Sequence, residues 1–268
     1  MAAKNMVTLF DESGTPAISF DQRTEWFIGV GVTYDQSDED VIFAKAKADF
    51  GLANSKPLKN DRITKSRALS IAKVLADLPT YIYVSSVNTG NPTLRKIIVN
   101  YECFGEEARR KFRQARKRPI AQIIHSHIRD HCLFNLIVDY FNAGGDDAAF
   151  AVFIDDWSIP KIDVDISLRH SAASLYEKIS RLCEEFAQGR LVSIAPFELL
   201  KTDSIRKRFV DLVASIFSRA YLKTNNQKYS REVADILQQS GKTHCSDATQ
   251  HLIAIMQAVM TRRAPGEA

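Results

Sequence analysis

The chain has 268 residues, 45% of them apolar and 25% charged, the balance of a protein that buries a core of its own. Lys and Arg number 36 against 32 Asp and Glu; the net charge of +4 permits a polyanionic partner without requiring one. Four scattered cysteines (Cys103, Cys132, Cys183, Cys245) with no Cys-x-x-Cys pair argue against a disulfide framework or a thiolate zinc site and suit the cytoplasm. No run reaches the ~18 apolar residues of a membrane span, and the first residues hold no signal-peptide run.

Residues 6–10 are almost wholly apolar and predict a short buried strand. A link carrying Gly14 and Pro16, fit for a loop or hairpin, leads to a second strand over 24–34, "TEWFIGVGVTY". Helices are expected over 39–50 and 62–78. In the latter, Ile63, Leu69, Ile71, Ala72, Leu75 and Leu78 recur at helical spacing before Pro79. A third strand follows over 80–87, then one long helix over 93–117 ended by Pro119, and another over 120–142 closed by Gly144 and Gly145. The segment "AAFAVFIDD", 148–156, reads as a strand, 167–188 as a helix and 191–199 as a strand. From Ser204 onward the chain reads as three helices. Strands joined partly by close links and partly by helices predict an α/β fold with a mixed sheet flanked by helices.

Two of these strands share a grammar: an apolar run, then carboxylates. "MVTLFDESGTP" passes into Asp11 and Glu12, and "AAFAVFIDD" ends in Asp155 and Asp156. Strand ends are often polar because they reach solvent. They are also where open α/β sheets place their sites. If the two strands are neighbours, Asp11 and Asp155 meet at one edge, and a divalent cation relieves their repulsion. Oxygen donors without Cys or His favour Mg²⁺ or Mn²⁺, and two such ions suit phosphodiester hydrolysis. Side chains alternate along a strand, so at most one acid of each adjacent pair is a direct ligand.

The start "TLFDESG" followed by "FIGVGV" resembles a widespread family with a ribonuclease H-like fold, domain of unknown function 3800. The resemblance spans roughly residues 7 to 222. It implies a ribonuclease H-like domain over 1–222, with a helical insertion at about 92–144 and extra C-terminal helices over 223–268. It implies a metal-dependent nuclease-like site with Asp11, Asp155 and Asp211 as ligands, the last within "RFVDLVASIF". Glu12 and Asp156 would support the ligands, and Lys59, in "PLKNDRI", would contact a phosphate.

A helical wheel from Ser204 puts Ile205, Phe209, Leu212, Val213, Ile216 and Ala220 on one stripe, with Asp211 nearly opposite. Asp211 therefore reaches the active edge only if its small-residue face lies over that edge. Asp203 and Asp247 are the other candidate third acids. "ARRKFRQARKRP" gathers Arg109, Arg110, Lys111, Arg113, Arg116, Lys117 and Arg118, a counter-ion for a nucleic-acid backbone or a solvated helix face. A non-catalytic nucleic-acid-binding or regulatory protein on the same scaffold is therefore the second reading. The spacing of His125, His127 and His131 does not put three imidazoles on one helical face. Gly29 and Gly31 lack the helix that follows a dinucleotide loop and read as glycines at a close packing contact. The last helix carries Leu252, Ile255, Met256 and Val259 on one stripe, a core face or a homodimer contact.

Overall fold

The computed structural model describes residues 5–14, 17–19, 26–52, 64–102, 122–124, 126–143, 150–154, 175–177, 179–181, 194–201, 203–221 and 228–263. Its centre is an antiparallel meander. Strand β1 (Met6–Ser13) pairs with β3 (Trp26–Asp35), and β3 with β4 (Thr80–Asn88). On the free side of β1, strands β6 (Phe150–Ile154) and then β7 (Glu198–Leu199) add in parallel. Strand β8 (Thr243–Asp247) lies parallel to β4 at the far edge. Among the described residues the sheet thus has six strands in the order β7-β6-β1-β3-β4-β8. Strands β2 (Ala17–Ser19) and β5 (Gln122–Ile124) make a separate antiparallel pair.

The α/β class and the mixed sheet follow the pattern expected from the sequence. Strands β1 and β3, joined by a short link, pair antiparallel; β6 and β8, reached through helices, pair parallel to β1 and β4; β3 and β4 pair antiparallel although helices lie between them in the chain. Alternation along β1 divides the core. Val7 and Leu9 join one cluster, packed under helices α1 (Glu39–Phe50), α2 (Lys65–Asp77), α5 (Ile205–Tyr221) and α6 (Lys228–Gln239). Met6 and Phe10 face the other way, onto α4 (Ser126–Asn142). Beside them Phe27 and Val87 pack with α3 (Pro92–Glu102), α4 and α7 (Thr249–Arg263). Thr8, of the same parity as Phe10, is buried and shares a 2.7 Å hydrogen bond with its cross-strand neighbour Thr33.

The two glycines of "FIGVGV" are packing residues. A Cβ on Gly29 would stand 2.9 Å from the Phe10 ring and 3.0 Å from the Cys132 Cβ. On Gly31 it would stand 3.4 Å from Thr8 Cγ2. Bare backbone here lets α4 settle onto β3. Gly14 has a different duty: its φ is +94°, and a Cβ would meet the Trp26 carbonyl at 2.7 Å, so the chain leaves β1 through a turn that glycine alone fits.

Four expectations are corrected. Strand β1 runs on through Asp11 and Glu12 to Ser13, because β3 continues to supply partners down to Ile28. The helix expected over 120–142 starts at Ser126; Gln122–Ile124 pairs instead with β2. The C-terminal stretch is not all helical, because β8 lies between α6 and α7. Residue 222 is therefore no boundary of the sheet: β8 completes its edge, and α6 packs on α2 in the same core as β1. Of the long helix expected over 93–117, the part described is Pro92–Glu102; 103–121 lie outside the described residues. None of the described helices is long and apolar enough to cross a membrane.

Candidate functional site at the end of the central strand

Strand β1 emerges from the core at its carboxyl end: Met6 to Phe10 are buried, and Asp11, Glu12 and Ser13 are partly exposed. Asp11 has the parity of Val7 and Leu9 and sits on the side of the sheet covered by α5. Glu12 points to the opposite side. Its carboxylate accepts from Arg129 Nε at 3.2 Å, and Arg129 is only 2% exposed, on α4. The adjacent acids thus have different partners. Glu12 is held as the counter-ion of a buried guanidinium, and Asp11 is acted on by the negative charge of a second carboxylate.

That second carboxylate is Asp211 of α5. The carboxyl of Asp11 is pushed well above the usual range, first by burial, then by the negative charges of Asp211 and Glu12. A hydrogen bond from the Glu12 backbone and the positive charge of Lys207 act in the opposite direction. Lys207 lies one helical turn before Asp211, with Nζ 3.4 Å from Asp211 Oδ1. Residues 200 positions apart in the chain therefore act on one another through their charges, with the Lys207 ammonium beside Asp211.

The wheel's objection to Asp211 disappears because α5 is buried on more than one side. Phe209, Leu212, Val213 and Ile216 of the expected stripe are buried, and so are Val210, Ala214 and Ser218. The helix packs on β1 and β3 as well as on α6 and α1. The small residues Ala214 and Ser218 follow Asp211 at i+3 and i+7, one stripe of the helix.

The other candidate third acids are elsewhere. Asp247 caps α7, accepting from the backbone N–H of Thr249 at 2.9 Å, and it ends β8, three strands from β1, roughly 14 Å at the usual strand spacing. Asp203 is exposed, just before α5. Asp155, Asp156, Lys59, Arg109, Arg110, Arg113, Arg116, Lys117 and His125 lie outside the described residues. The register does make β1 and β6 parallel neighbours, with Phe10 opposite Ile154, the residue that precedes Asp155 in the chain.

The donor chemistry at Asp11 and Asp211 suits a hard cation. Both donors are carboxylates, and Asp11 is raised by burial and then by the charges of Asp211 and Glu12, so a positive ion at its carboxylate offsets an existing penalty. Among the described residues no three of His, Cys, Asp and Glu come together as a metal site, so a third ligand would have to come from outside them.

Two features went unrecognised in the sequence. Lys207 is one; its only signal is the i, i+4 spacing to Asp211. The other is a polar cluster under α4. Asn135 Nδ2 donates to Ser246 Oγ at 2.7 Å and to Asp139 Oδ2 at 3.2 Å, and Ser246 Oγ donates to Asp139 Oδ2 at 2.8 Å. His131, buried nearby, packs edge-on against His251 with ring centres 4.9 Å apart, and its Nε2 has no hydrogen-bond partner among the described residues. Burial, then His251, pushes its pKa down to about 3, so it stays neutral. This cluster ties β4, β8 and α4 together and is on the other side of the sheet from Asp211.

No protein-family model matches the chain, and none of the curated proteins matches it.

Proposed function

We propose that the protein is a metal-dependent nuclease of the ribonuclease H-like class, related to the domain of unknown function 3800 family, hydrolysing phosphodiester bonds of DNA or RNA. The observation that carries this reading is the placement of Asp11 at the emerging end of the central strand, on the side covered by α5, where burial and then the negative charge of Asp211 raise its carboxyl. A charge arrangement that costs stability persists where it serves binding or chemistry. The strand order supports the fold assignment: three antiparallel strands, with two parallel strands added on the other side of the first.

In this reading Asp11 and Asp211, with Asp155 as the third ligand, hold Mg²⁺ or Mn²⁺. The ions would activate water and stabilise the leaving 3′-oxygen. Asp155 enters through its sequence position alone, one residue beyond the partner of Phe10. Glu12 keeps the strand end in place through Arg129. Lys59 and the cations at Arg109, Arg110, Arg113, Arg116 and Lys117 would meet the phosphate backbone.

The test is cleavage of single- and double-stranded DNA, RNA and hybrid by purified protein with Mn²⁺. The expected result is cutting that Asp11→Asn and Asp211→Asn each reduce by at least about a hundredfold. No cutting of any polymer, or equal cutting by Asp11→Asn, overturns the proposal. The basic run over 109–118 supports the second reading, a binder without catalysis. It would show salt-sensitive, metal-independent binding that weakens when Arg109, Arg113 and Arg116 are neutralised together.

A further inference from the structure

The acid pair already has a cation. Lys207 Nζ is 3.4 Å from Asp211 Oδ1, and its side chain is only 16% exposed, while that of Asp211 is 37% exposed. Lysine and aspartate at i and i+4 of one helix hold the ammonium on the acid side of α5. Asp11 lies on the side of β1 against which α5 packs, so the ammonium that pairs with Asp211 also bears, more weakly, on Asp11. A surface ion pair of this spacing is ordinarily worth little. Here the ammonium is mostly shielded from solvent.

We infer that Lys207 is a resident counter-cation that competes with a divalent ion for Asp11 and Asp211, and so sets which ions the site accepts. This rests on the proposed function, which supplies the ion. A monovalent ion that displaces the ammonium replaces one positive charge with another and gains little against the acids. A divalent ion brings twice the charge to the same oxygens. Lys207 thereby keeps the pair neutral enough to fold without metal and makes the site selective for doubly charged ions.

The experiment measures Mn²⁺ affinity of the full chain from the free-ion electron paramagnetic resonance signal, for wild type, Lys207→Met, Lys207→Arg and Asp11→Asn. Removing one positive charge a few ångströms from a divalent ion predicts Mn²⁺ binding about tenfold tighter in Lys207→Met. Lys207→Arg, which keeps the charge, stays within about threefold of wild type. Unchanged or weaker binding by Lys207→Met, with wild type binding Mn²⁺ through Asp11, overturns this inference and leaves the nuclease reading standing. Wild type that binds no Mn²⁺, or binds it undiminished after Asp11→Asn, overturns the site itself, and the inference falls with it.

Discussion

The ion pair between Glu12 and Arg129 offers the sharpest test of how the two adjacent acids divide their roles. Arg129 is 2% exposed and Glu12 11%, with 3.2 Å between Nε and Oε2. At an effective dielectric of about 20 that separation corresponds to roughly 5 kcal/mol of attraction, which the cost of dehydrating both groups largely offsets. Removing one partner leaves the other charge buried without it, a loss of about 3–5 kcal/mol in comparable pairs. Glu12 lies at the rim and Arg129 keeps further interactions, so Glu12→Gln should cost less, about 2–4 kcal/mol. For a chain of this size each kcal/mol lowers the melting temperature by roughly 2–4 °C, so a fall near 10 °C is expected. The double variant Glu12→Leu/Arg129→Met, which removes both charges, should recover most of that loss. Urea unfolding followed by circular dichroism measures all three. The reasoning fails if Glu12→Gln costs under about 1 kcal/mol, or if it abolishes Mn²⁺ binding at unchanged stability, because Glu12 would then be a ligand and not a counter-ion.

Three further predictions follow from the same geometry. Asp11 is raised in the folded protein, so its ionised form costs stability above its unfolded pKa. Asp11→Asn should therefore melt higher than wild type in EDTA, by the equivalent of about 1 kcal/mol, while losing any stabilisation by Mn²⁺; a lower melting point in EDTA would contradict it. His131 is lowered from 6.5 to about 3, so its contribution is full above pH 6.5 and is lost as pH falls towards 3. The stability of wild type relative to His131→Phe should therefore drop by about 1 kcal/mol per pH unit through that window, and parallel pH profiles for the two proteins would refute it. Gly29→Ala drives a methyl to 3.0 Å from the Cys132 Cβ, which the helix backbone fixes, and should cost about 1–3 kcal/mol. Gly31→Ala, with its nearest contact at 3.4 Å, should cost less, and urea midpoints in the reverse order would show the packing account to be mistaken.

The length and type of the links, not periodicity, pointed to a mixed sheet. Periodicity marked the apolar strands and the helix expected over 62–78, described over Lys65–Asp77, because burial writes itself into local residue spacing. It marked Asp11 as an acid at the end of a buried run for the same reason. It could not find β8: Thr243–Asp247 is mostly exposed, carries no apolar stripe, and is a strand only because the edge of β4 is open to it. Nor could it find the strand at Gln122–Ile124, whose partner is about a hundred residues away. Alternation along β1 required Asp11 and Glu12 to part, but not which would meet a guanidinium and which a carboxylate. That depended on α4 covering one side of the sheet and α5 the other. The packing of the helix that carries Asp211 and Lys207 onto the strand that carries Asp11 is likewise a product of the tertiary fold. Electrostatic interaction depends on distance through space, and a chain's own order says little about which of its charges will end up close.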